Sequence, residues 1–127
     1  MQDRLLFEYA VIRVVPRVER EEFINVGVIL YCARKKFLKS IFSLDDVRLA
    51  AFSAKLDLEE IRANVGSIGL ICSGGKISGS IGQLDLPSRF RWLTATRSTV
   101  IQASKVHPGF CVDPDETLLR LCTEFVL

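Results

Sequence analysis

One histidine and one tryptophan serve the entire 127-residue chain, and its four cysteines are widely scattered. Cys32, Cys72, Cys111 and Cys122 include no pair at the short spacing that zinc sites and redox dithiols require, so no metal site is expected. Each cysteine stands in an apolar neighbourhood and reads as a small core filler. The chain also lacks any run approaching the roughly 18 apolar residues that span a bilayer. Its N-terminus offers only Leu5-Leu6-Phe7 before Glu8, too little for the apolar segment of a signal peptide. A cytoplasmic location and no membrane partner are therefore expected. Net charge is only +2, too weak by its total to argue for a nucleic-acid footprint, which leaves local clustering to be checked.

What is present is a globular balance: 49% hydrophobic and 25% charged residues, with four prolines and eight glycines. A chain of this length supports one core without staples, so residues 1–127 are expected to form a single domain. Phe7 to Val15 reads as a strand, with Phe7, Tyr9, Val11, Arg13 and Val15 on one face and Glu8, Ala10, Ile12 and Val14 on the other. Both faces are largely apolar, as in a central strand covered on both sides. Pro16 ends it. Ile24 to Cys32 reads as a second such strand, interrupted by Asn25 and Gly27. Phe37 to Ser43 reads as a third after the polar turn Arg34-Lys35-Lys36, and short connections make the three a meander.

Helical signals follow. Asp45 to Phe52 is a short candidate, and Asp57 caps a longer one whose Leu58, Ile61, Val65, Ile68 and Cys72 recur at helical spacing until Ser73-Gly74-Gly75. The stretch through Gly79 and Gly82 reads as a flexible loop. Pro87-Ser88 opens a short helix carrying Phe90, Trp92 and Leu93, and Ser98 to Ser104 reads as a fourth strand. Asp113-Pro114-Asp115-Glu116 starts a last helix, with Leu118, Leu121, Cys122 and Phe125 as its buried stripe. The expected fold is α+β: a mostly antiparallel sheet of about four strands with three to four helices packed on it.

Three stretches carry a resemblance. They are Tyr9-Ala10-Val11-Ile12-Arg13, then Arg20-Glu21-Glu22-Phe23-Ile24-Asn25-Val26-Gly27-Val28. The third is Phe90-Arg91-Trp92-Leu93-Thr94-Ala95-Thr96-Arg97-Ser98-Thr99-Val100-Ile101-Gln102, continuing to Val106-His107-Pro108-Gly109. In that order they resemble the small bacterial proteins catalogued as domain of unknown function 3037 (DUF3037). The family pattern carries proline where Thr96 and Lys105 stand here. The resemblance implies no activity. It points to a protein partner or regulatory role, since relatives often lie beside kinases of the HipA toxin type.

The residues that could carry chemistry are the polar ones set in apolar structure. Arg13 is mid-strand, and a buried guanidinium needs an acid or several carbonyls. Glu21 or Glu22 could supply the acid across the hairpin, and Asn25 could join them. The alternative is an anion-binding arginine. Arg97, Ser98 and Thr99, followed by Gln102, Ser104 and His107, could line a groove for a phosphate, carboxylate or peptide backbone; the competing reading is a solvated strand face. A triad of Ser98 or Ser104 with His107 and Asp113 lacks the strained serine turn, and His107 before Pro108-Gly109 reads as a loop residue. Gly69 to Lys76 fails as a phosphate-binding loop, because it has one residue too many and Ile77 replaces the required hydroxyl. Arg89, Arg91 and Arg97 around Phe90 and Trp92 could grip nucleic acid, but Phe90 and Leu93 look like core anchors with the arginines on the solvent side.

No complete catalytic set is visible. The expected function is a small non-catalytic binding or regulatory module acting on a protein partner, with the HipA-type kinase as the suggested one, or acting as a homodimer. The alternative is a small-ligand or anion-binding protein or enzyme with one pocket around Arg13, Asn25, Arg97, Ser98 and His107. Partner-binding candidates are Arg13, Glu22, Asn25, Arg97, Ser98, Thr99, Gln102 and His107; no cofactor is expected.

Overall fold

Two apolar strands placed side by side must be covered above and below, and the chain supplies helices for both sides. The computed structural model describes residues 4–97 and 99–127. Strand β1 (Leu5–Val14) is central, with β2 (Ile24–Cys32) on one side and β3 (Phe37–Phe42) beyond it, all antiparallel. Two short strands share the other edge of β1: β4 (Ile101–Ala103) pairs with Ile12 to Val14, and β5 (His107–Cys111) pairs with Leu5 to Tyr9. Ser104 bridges the step between them, since its N–H donates to the Val11 carbonyl and its hydroxyl accepts from the Val11 N–H.

The helices are α1 (Asp46–Phe52), α2 (Leu58–Ser73), α3 (Gly79–Gly82), α4 (Leu86–Leu93) and α5 (Pro114–Phe125). Asp45, Asp57, Asp85 and Asp113 each accept backbone N–H groups at a helix start, satisfying donors that the first turn leaves free. Arg89 serves the other end of α2, donating from Nη1 to the carbonyls of Ile71 and Cys72 at 2.9 and 3.0 Å.

Alternation along β1 assigns its two faces. Ala10, Ile12 and Val14 join Leu49, Ile61, Ile71, Phe90 and Leu93 in a core beneath α1, α2 and α4. Leu5 and Phe7 join Val28, Leu30, Cys111, Leu118, Leu121 and Cys122 in a second core beneath α5. The sheet is thus the middle layer of three. Burial raises the Cys111 and Cys122 thiols and pushes Cys72 up to about 11, as expected for inert core fillers.

Strand β2 does not alternate throughout. Ile12 faces Gly27 while Arg13 faces Asn25, so Val26 is an extra residue forming a β-bulge. The bulge turns Val26 into the first core and leaves Asn25 on the α5 side beside Arg13. Gly27 is required by crowding, because a Cβ there would stand 2.7 Å from the Ile41 carbonyl oxygen, on top of the Phe42 ring.

Several expectations change. The sheet has five strands and the described residues hold five α-helices, one more of each than the upper expectation. The region through Gly79 and Gly82 is a 3-10 turn followed by α3, because Gly75 N–H closes it by donating to the Gly82 carbonyl at 3.0 Å. The strand expected from Ser98 to Ser104 is only Ile101–Ala103. His107 lies in β5 rather than a loop: β1 extends to Leu5 and offers the edge on which 107–111 pairs. Phe125 leaves the buried stripe of α5 and is 41% exposed, stacked instead on Tyr9.

Candidate functional site

The bulge builds the first constellation. Arg13 has Asn25 opposite on β2 and Gln102 opposite on β4, so three polar side chains form one row across the sheet, on the α5 side. That row lies just past the end of α5, whose Phe125 carbonyl accepts a hydrogen bond from Asn25 Nδ2 at 3.1 Å. Phe125 stacks on Tyr9 at 6.1 Å, and Tyr9 lies 5.4 Å from the His107 ring. At the other end the Arg13 guanidinium sits 3.8 Å above the ring centre of Phe23, which is 44% exposed. His107, Tyr9, Phe125, Arg13 and Phe23 thus make a strip, about 13 Å from Tyr9 to Arg13 at strand rise.

Arg13 is the odd member. No ion pair among the described residues reaches it, and its Nε is buried without a hydrogen-bond partner. Burial lowers its proton affinity. Neither expected acid reaches it: no ion pair among the described residues joins Glu21 to Arg13, and Glu22 pairs with Arg20 within its own loop. Two residues separate Glu22 from Asn25, which holds the strand position opposite Arg13, and the loop keeps the carboxylate to itself. Asn25 Oδ1, the neighbouring acceptor, is likewise buried and unpaired. A charge partly buried without an acid is costly, and here the Phe23 ring lies against it.

Arg97 lies on the opposite side of the sheet, in the segment joining α4 to β4. Its Nη2 donates to the Trp92 carbonyl, its Nη1 donates to the Leu93 carbonyl at 3.3 Å, and its guanidinium stacks 4.4 Å from the centre of the Trp92 ring. It caps the end of α4 and closes one wall of an open cleft of about 360 Å³ against α2. Thr99 borders the same cleft and donates to the Ile101 carbonyl, while Gln102 Nε2 reaches back to the Thr99 carbonyl. Ser98 falls outside the described residues.

One pocket around Arg13, Asn25, Arg97 and His107 therefore does not form, because strand alternation sends Arg13 and Gln102 to one face while Ile101 and the Arg97 cleft belong to the other. Ser104, His107 and Asp113 form no relay. The Ser104 hydroxyl donates to Lys105, His107 faces Tyr9, and Asp113 caps α5. The expected solvent face of α4 also needs correction. Arg89 points inward to the end of α2 and Arg97 folds onto Trp92, both partly buried, which leaves Arg91 the exposed one of the three. Tyr9, Phe23 and Phe125 were missed as members of the site. Aromatic residues in or beside apolar strands and helices read as core from pattern alone, and only their exposure separates them.

Fold and site together define a small α+β protein with one central antiparallel sheet, presenting a strip of aromatic and polar side chains on one face and an open cleft on the other. The chain belongs to the family described as protein of unknown function DUF3037, whose model matches residues 9–126. No curated protein and no solved structure matches the chain.

Proposed function

We propose that this chain is a non-catalytic protein-binding module, and that Arg13 on the strip receives an acidic residue of its partner. The observation that carries this reading is a half-buried guanidinium, stacked on Phe23, with no acid of the described chain bonded to it. Supporting it is the composition around Arg13: tyrosine, phenylalanine and arginine are the residues that anchor protein interfaces. A carboxylate docking there would remove the cost of the unpaired charge and form charge-assisted hydrogen bonds.

The test uses the HipA-type kinase as first partner, with co-elution and calorimetry on the purified proteins. Arg13→Leu is expected to weaken binding by roughly 100-fold or more while leaving the melting temperature in place. Full binding by both Arg13→Leu and Phe125→Ser would remove the strip from the interface. A collapse of stability in Arg13→Leu would make Arg13 scaffold.

A further inference from the structure

We propose that the cleft lined by α2, by Trp92 and Arg97, and by Thr99, Val100 and Ile101 is a binding site for a small monocarboxylate with an apolar body. The inference is independent of the strip, which lies on the other face of the sheet.

Three features of the cleft specify that ligand. Its floor is apolar, made by Ile68 and Ile71 of α2 with Val100 and Ile101. One wall carries a fixed cation: the Trp92 and Leu93 carbonyls hold two guanidinium N–H groups of Arg97, and Trp92 supports its plane. A guanidinium has five N–H donors, so three remain for a planar anion, and the geometry that a free arginine side chain would have to adopt is already set. A second charge is excluded at the far end, where Glu60 stands three turns along α2 from Ile71. Glu60 repels a dianion or a long diacid and leaves room for one negative head. The volume of about 360 Å³ falls at the small end of ligand sites, which fits a compact molecule and not a nucleotide.

The chain carries its own reporter, because its single tryptophan is Trp92 in the cleft wall. Octanoate is the probe, titrated against the full chain and followed by tryptophan emission; octanol and octylamine of the same chain length are the controls. Octanoate is expected to give a saturable change, with octanol binding roughly tenfold weaker or worse and octylamine giving none. Arg97→Gln should reduce octanoate affinity to the octanol level. Because Arg97 also caps α4, a second variant guards the test: Ser67→Phe, at an exposed position on the α2 wall, fills the cleft without touching that cap and should abolish the change. Equal affinity for octanoate and octanol, undiminished binding by Ser67→Phe, or no saturable response in the folded wild type would each overturn the proposal.

Discussion

Arg13 and Arg97 interrupt apolar sequence in the same way, yet the chain treats them differently. Arg97 is tied to two carbonyls and a tryptophan ring within six residues of itself. Arg13 has one aromatic face beneath it and no acid bonded to it among the described residues. An arginine's role follows from what occupies its donors, and that depends on the chain's path more than on its neighbours in sequence. Arg89 combines the two, with its Nη1 shared by two carbonyls at the end of α2 and its Nε, like that of Arg13, buried without a hydrogen-bond partner.

The contrast can be broken by stability measurements. Arg89→Ala should have the largest effect, about 3 kcal/mol of unfolding free energy in a denaturant titration, since it strands two carbonyls and opens the α2–α4 contact. The neighbouring Cys72 reports on how dry that region is. Burial raises its thiol from the ordinary value of 9.0 to about 11, so the folded state resists ionisation. Its contribution is fully present below pH 9 and lost as pH rises through 11, a fall of roughly 2–3 kcal/mol. Cys72→Ala should flatten that alkaline limb.

Arg97→Ala should cost less, about 1–2 kcal/mol, for one charge-assisted cap and one cation–π contact at a half-exposed site. Arg13→Leu should cost about 0 kcal/mol or stabilise slightly, because an apolar side chain there replaces an unpaired buried Nε. A loss of more than about 2 kcal/mol in that variant would place Arg13 with Arg89 and erase the difference between the two faces.

The sequence made the meander, the long second helix and the last helix legible, because period-2 and period-3.6 patterns and aspartate caps are local signals. It concealed the bulge at Val26. Both faces of β2 are apolar, so a one-residue slip leaves no mark in the pattern, and Asn25 could not be assigned to the Arg13 side. It concealed β5 as well, since His107-Pro108-Gly109 carries turn residues and becomes a strand only because β1 extends to Leu5. Arg13, Asn25 and Gln102 share one face of the sheet, and their separation from Arg97 was not readable in the sequence, because alternation along β4 is set by its pairing with β1.

By itself, the sequence determined the class of fold, the helix starts and the set of polar residues embedded in apolar strands, since each follows from contacts between residues a few positions apart. Tertiary structure alone decided which of those residues meet, which acid pairs with which arginine and which aromatics remain exposed. Those outcomes depend on strand register and on loop paths that bring together residues up to a hundred positions apart, as Asn25 and Phe125 are.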